Sequence, residues 1–233
     1  AACALGARLG IAANISNLYH TWEYQKETMR GKSELVKENS ANQTSTGLDR
    51  DYITQWSYGI SETWTLLVPN TKGGASNISM LESPQAQEKA DPMYAQVYQQ
   101  MGQYWGNQPG TSGPVYVGAF VLLLFVLGLF IVKGSIKWAL LGATILSILL
   151  SWGRNFMGLT DFFIDYVPMY AKFRTVASIL VIAEFTIPLL AMLALKKYIE
   201  EPDCVKCKRF PKLNFLHLSL ALTGGVALLF AIA

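Results

Sequence analysis

Apolar residues in this chain are bunched into runs rather than spread, and that bunching constrains its fold more than any motif does. Residues 115–132 carry no charge, 136–151 contain only Lys137, 176–195 only Glu184, and 213–233 no charge at all apart from the titratable His217. About 20 apolar residues cross the hydrocarbon core of a bilayer, where every backbone N–H and C=O must be satisfied inside the protein. The runs therefore predict an all-α polytopic membrane protein, a transmembrane helix bundle. A fifth run, 1–22, is rich in Ala and Gly but holds Arg8, Asn14 and Asn17, and reads as a truncated transmembrane helix ending in the aromatic belt Tyr19, His20, Trp22 and Tyr24. With no Met at the start and an apolar end at 226–233, the chain reads as an internal fragment whose partner is the remaining part of the same polypeptide.

Between these runs the composition turns polar. Residues 23–113 are predicted to form a large extracytoplasmic loop of short helices and coil, and 114–233 the main transmembrane region. Within that loop, 32–46 reads as mobile, 56–68 as lying along the membrane surface, and 91–104 as an amphipathic helix with Met93, Tyr94, Val97, Tyr98, Met101 and Tyr104 on one face. Lysines sort the loops by side. Lys133, Lys137 and the six Lys/Arg of 196–212 belong inside by the positive-inside rule, which leaves 23–113 and the interfacial segment 152–175 outside. A formal net charge of +3 without a basic, aromatic-interleaved patch argues against nucleic acid as a partner; membrane lipid is the expected one.

The interfacial segment, WGRNFMGLTDFFIDYVPMYAKFRT, collects the candidate site residues. Asp161 and Asp165 are four apart, on one face of a helix, as an acid–base or metal-binding pair would be; they are weak catalytic candidates, and the plainer reading has them facing solvent above an aromatic anchor. Arg154, Arg174 and Lys172 suit a phosphate, because a guanidinium presents a planar fork of donors; their alternative partners are lipid phosphates or the two aspartates. Glu184 and Arg8 are ionisable groups inside apolar runs, functional by default, with Pro188 placed to kink the Glu184 helix. Cys204-x-x-Cys207 is half of a zinc site without its second pair, so a reduced, unliganded pair is expected. Asn42-Gln-Thr44 and Asn77-Ile-Ser79 match the glycosylation sequon. No cofactor is predicted and nothing in the spacing supports a divalent metal. No phosphate-cradling loop, nucleophile elbow or HExxH occurs.

Two stretches carry a family likeness. Trp64-Thr-Leu-Leu-Val-Pro-Asn70 followed by Lys72-Gly-Gly74, and Trp152-Gly-Arg154 with Val167-Pro-Met-Tyr-Ala-Lys-Phe-Arg174, make the chain resemble the YfhO family of bacterial membrane proteins, its Bacteroidetes branch in particular. The resemblance implies a C-type membrane glycosyltransferase fold in the bacterial inner (cytoplasmic) membrane, multi-pass. It implies a sugar taken from a polyprenyl-phosphate carrier and transferred with inversion to an envelope acceptor on the extracytoplasmic side. The catalytic acid would lie in an early loop upstream of Ala1, and Arg174 and Arg154 would contact the donor phosphate. Two other functions stay open. One is a transporter or flippase using Glu184, Arg8 and Pro188 at the midplane, and the other is a non-catalytic envelope scaffold.

Overall fold

The structure, a computed structural model, describes residues 2–28, 42, 44, 48–113, 115–206 and 214–232. The 32–46 segment read as mobile lies outside these except at positions 42 and 44, and Cys207 and the side chain of Cys3 lie outside them too. In chain order the α-helices are α1 (Ala2–Ala13), α2 (Ile15–Tyr24), α3 (Arg50–Ile53), α4 (Pro84–Lys89), α5 (Ala95–Gln100), α6 (Ala119–Ile131), α7 (Ile136–Ser151), α8 (Met157–Tyr166), α9 (Val181–Glu200) and α10 (Phe215–Ile232). Short 3-10 turns fill many of the connections, and among the described residues no strand forms, only isolated bridges such as Ser79 with Gly102. The chain is thus mostly helical, as its apolar runs predict.

The helices differ in detail from the predicted spans. Val176–Glu200, with its leading 3-10 turn, is 25 residues and α10 is 18, and both are long and apolar enough to cross a membrane; a third crossing exists if α7 and the helix after it count as one broken span. α6 is corrected to 13 residues, because 115–118 are not helical. Val117 N–H donates to Leu66 O at 3.4 Å and Gly118 sits at φ 110°, a backbone turn that holds the approach to α6 outside the helix. At 1.5 Å per residue α6 covers only about 20 Å of a hydrocarbon core of about 30 Å. The 1–22 run is likewise two helices, interrupted at Asn14, whose side-chain amide donates to Gly10 O at 2.9 Å.

Two compact units make up the chain, one from 1–55 with 158–175, the other from 56–157 with 176–233. In the first, Leu48, Ile53, Ile164 and Ala171 are buried, and Leu48 N–H donates to Ala171 O at 3.0 Å. In the second, α6 and α9 form the core: Leu124, Leu127 and Ile131 pack with Ala183, Ile187, Leu190 and Ala194. Small residues make that closeness possible, as they do between helices in lipid, where dispersion contacts rather than water exclusion hold pairs together. α7 joins through Thr144 and Thr186, whose buried hydroxyls lie 2.7 Å apart. α10 meets α6 through Phe130 and Phe215, stacked at 5.2 Å and 4°.

At Gly128 α6 comes close to α9. A Cβ there would lie 2.9 Å from Leu190 Cγ and 3.1 Å from Leu190 O, and Leu190, at 0% exposure, has nowhere to move. Gly142 of α7, by contrast, has nothing within 4 Å of that position. Gly128→Ala and Gly142→Ala gain the same helix propensity, so their difference isolates the contact. Gly128→Ala is expected to be the less stable of the two by about 2 kcal/mol. Unfolding midpoints in detergent micelles measure this, and equal midpoints would rule out the tight contact.

The polar region between Trp56 and Gly113 buries some of its own apolar side chains. Tyr58, Leu66, Leu67 and Ala75 are buried. The predicted amphipathic helix over 91–104 is realised as a 3-10 turn, Pro92–Tyr94, and α5, and the chain then leaves the helix at Met101. Gly73 and Gly102 explain the exit. Gly102 backs onto Ser76 O and Gly73, at φ 83°, onto Gln103 O, approaches that any side chain would block.

Candidate functional site

In the first unit the two aspartates are partnered by a residue that their sequence neighbourhood does not contain. Arg50 Nε donates to Asp161 Oδ1 at 3.0 Å and its NH2 to Asp165 Oδ1 at 2.7 Å, one guanidinium spanning a turn of α8. The guanidinium that bridges them is that of Arg50, not of Arg154 or Arg174, for which these aspartates are the alternative partners. With both carboxylates engaged and about half exposed, the pair ties α3 to α8; bridges this accessible contribute about 1 kcal/mol or less each. Arg174 lies over the Tyr52 ring at 5.0 Å and donates to Tyr52 Oη at 2.9 Å, which keeps its charge exposed but its position defined. The segment bearing Lys172 and Arg174 is bracketed by Met169 at φ 68° and Thr175 at φ 76°. A β-branched residue in that region is strained, and such strain of about 1–3 kcal/mol persists only where surrounding contacts over-determine it. The bond from Leu48 to Ala171 O is one of those contacts. Burial also pushes the neighbouring Tyr170 phenol up to about 12, and its oxygen has no hydrogen-bond partner among the described residues.

The second unit holds the denser site, and it is built around a residue not singled out in the sequence. Glu62, 2% exposed, sits in the Ser61–Leu66 turn. Its Oε2 accepts from Gly59 N–H and, at 3.4 Å, from Asn107 N–H, while Tyr104 Oη donates to Oε1. Tyr104 in turn accepts from Gln108 N–H at 2.9 Å. Burial first, then the Glu62 carboxylate, raise the Tyr104 phenol well above its usual range. Beside it the Tyr58 and Thr65 hydroxyls share a hydrogen bond, and burial pushes Tyr58 up to about 12, with the Glu62 and Glu184 charges adding to the shift. Gly106 is required here, since a Cβ would occupy the place of Glu62 Oε1 and Tyr104 Oη. Three donors and near-complete burial make Glu62 a strut between the 59–66 turn and the 104–108 loop rather than a proton-transfer group.

Onto this strut the end of α7 is fastened. Tyr58 N–H donates to Ser151 O at 2.8 Å, Trp152 Nε1 to Thr63 Oγ1 at 2.9 Å, and Asn155 Nδ2 to Tyr58 O at 2.9 Å. Arg154 closes the arrangement: its backbone N–H donates to Ser57 Oγ at 2.9 Å and its side-chain NH2 to Asn107 O. The Arg154 guanidinium is exposed, and Asn107 O is its one partner among the described residues. A guanidinium carries five N–H donors, so most remain available to an anion. Arg154 belongs to this unit, whereas Lys172 and Arg174 belong to the other, each with its own local support.

No protein-family model, curated protein or solved structure matches this chain. Function has to be read from the side chains themselves. Glu184 is exposed in the first turn of α9, and neither it nor Arg8 has an ion-pair partner among the described residues. Pro188 lies inside α9 without ending it; lacking an N–H, it leaves the Glu184 carbonyl without its intrahelical donor. Cys204 is a half-buried thiol that burial raises, near Lys197 O at 3.9 Å, while its motif partner Cys207 lies outside the described residues. Among the described residues no three His, Cys, Asp or Glu side chains converge as metal ligands do. Two residues that sequence reasoning passed over, Glu62 and Arg50, carry the two polar clusters. The only sequence signal for Glu62 is a lone carboxylate within the apolar and aromatic WSYGISETW; for Arg50 there is none beyond its place in LDRDY.

Proposed function

We propose that the chain is part of an integral membrane glycosyltransferase-like protein that transfers sugar from a polyprenyl-phosphate carrier on the extracytoplasmic side of a bacterial inner membrane. Arg154 is the donor-phosphate contact in this reading, and the observation that carries it is the state of that residue. Its backbone is locked to Ser57, its guanidinium is exposed with one N–H committed to Asn107 O, and it stands just beyond the end of the apolar helix α7. A fixed arginine at such a position binds phosphate without reorganising, and stabilises the charge that develops when the sugar leaves. In keeping with the YfhO likeness, the acid that activates the acceptor is assigned upstream of Ala1, since Asp161 and Asp165 are held by Arg50.

A second reading has one observation in its favour: Glu184 is an exposed carboxylate on an apolar helix, without an ion-pair partner among the described residues and next to a carbonyl freed by Pro188, as an ion-coupled transporter would use. One comparison separates the two. In membranes carrying the full-length protein, Arg154→Ala is expected to lower sugar transfer from a polyprenyl-phosphate donor about 100-fold or more, and Arg154→Lys to retain a part of it. Glu184→Gln is expected to leave transfer intact. Loss of substrate flux in Glu184→Gln, with transfer unaffected by Arg154→Ala, would establish transport instead.

A further inference from the structure

At the opposite end of α7 from Arg154, a cleft of about 1060 Å³ opens among the lysine-rich ends of the second unit. Lys137 is the second residue of the 16-residue α7, and Arg154 lies three residues past its end, so the helix sets the two places about 20–25 Å apart. The cleft is therefore separate from the proposed transfer site and does not depend on that reading.

Its polar wall has an excess of positive charge. Lys133, Lys137, Lys197 and Lys206 face two carboxylates, Glu201 and Asp203. Lys197 pairs with Glu201 at 2.6 Å and Lys206 with Asp203 at 2.7 Å, but Lys206 and Asp203 are 70% and 87% exposed, a bridge that a stronger anion displaces at little cost. Lys137 Nζ caps Leu129 O at 2.8 Å, which sets it at the end of α6 with no carboxylate partner among the described residues. Lys133 is exposed and has no partner among the described residues.

The other wall is apolar. The stacked rings of Phe130 and Phe215 line the cleft, with Trp138, 61% exposed, beside Lys137. Phe130 and Phe215 belong to α6 and α10, and α10 is an apolar helix of spanning length with only 11% of its residues buried in the protein. The cleft thus joins a cationic pocket to an apolar surface that continues along a candidate membrane span. A free anion would use only the first half of this arrangement.

We propose that the cleft binds an anionic phospholipid of the surrounding bilayer, the headgroup phosphate between Lys133 and Lys206 and an acyl chain along Phe130 and Phe215. Basic pockets at helix ends recognise lipid phosphates through charge, and each lysine near the headgroup adds a severalfold gain in affinity.

The test uses the purified chain in a zwitterionic detergent, titrated with short-chain phosphatidylglycerol, short-chain phosphatidylcholine or inorganic phosphate, with bound lipid counted by native mass spectrometry. Phosphatidylglycerol is expected to saturate at one molecule per chain, and phosphatidylcholine to bind at least tenfold more weakly. Lys133→Gln with Lys206→Gln is expected to weaken phosphatidylglycerol binding about twentyfold. Lys196→Gln, which removes a lysine outside the cleft paired with Glu200 at 3.8 Å, is expected to change nothing. Lys133→Arg with Lys206→Arg keeps the charges and is expected to keep the lipid, so a poorly folded glutamine pair does not leave the matter open. Equal binding of the two lipids, undiminished binding in the glutamine pair or loss in the arginine pair would each overturn the proposal. So would displacement of phosphatidylglycerol by inorganic phosphate at similar concentration, which would mark a free-anion site.

Discussion

Glu62→Ala is expected to destabilise the protein by about 4 kcal/mol. The reason lies in what stays behind. Gly59 N–H, Asn107 N–H and Tyr104 Oη all direct their hydrogens at this carboxylate, which is 2% exposed, and without it Gly59 N–H is left buried and the other two part-buried beside the vacated place. Each orphaned donor costs about 1–3 kcal/mol, and the cavity adds to that. Glu62→Gln keeps the shape and one acceptor oxygen but turns an N–H₂ toward donors, so about half the loss is expected. Tyr104→Phe removes one donor and also strands Gln108 N–H, at about 1–2 kcal/mol. Thermal unfolding midpoints in detergent micelles rank the three, and protease cleavage within 56–110 should rise in the same order. A Glu62→Ala protein that melts with the parent and resists cleavage would show that the strut carries no weight.

Gly153→Ala is expected to cost about 3 kcal/mol, and to displace Arg154 as well. Gly153 has φ 45°, in the left-handed region, and a Cβ there would collide with Ser57 Oγ and with Val176. Both neighbours are fixed, Ser57 at 0% and Val176 at 8% exposure. Ser57 Oγ is also the acceptor for Arg154 N–H, so the collision strikes the bond that sets the arginine's direction. Ser57→Ala combined with Gly153→Ala should therefore fall short of the sum of the single effects, since the first change removes part of what the second collides with. The expected coupling is about 1 kcal/mol, read from unfolding midpoints of the four proteins of the cycle. Strict additivity would show that the clash is relieved elsewhere. In the full-length protein, loss of transfer in Gly153→Ala beyond what its stability explains would tie Arg154's placement to activity.

These two residues show where sequence reading stops. The helical, membrane-compatible character of the chain was legible because it is local: an apolar run of sufficient length states its environment wherever it lies. The starts and stops were less so. Residues 115–118 belong to the same uncharged run as α6 but stay outside the helix, with Val117 N–H bonded to Leu66 O, a partner some fifty positions away, and Gly118 at a positive φ before the helix starts. Arg154 was recognisable as an exposed cation at a helix end. Its orientation was not, since that depends on Ser57, 97 positions earlier, and on Asn107, 47 positions earlier. The same limit applies to Asp161 and Asp165. Their spacing put them on one helix face, but their partner Arg50 lies 111 positions from the first of them.

The amino-acid sequence alone determined the helical class, the apolar runs and the lysine-rich ends, because each follows from the composition of a continuous stretch. Tertiary structure alone decided that Glu62 is buried among three donors, that Arg50 holds the acid pair, and that Lys133 and Lys206 share a cleft with Phe130 and Phe215. The physical reason is the reach of the forces involved. Transfer into an apolar environment sums over neighbours in the chain, whereas a hydrogen bond or an ion pair depends on an ångström-scale approach that only the folded path of the backbone sets.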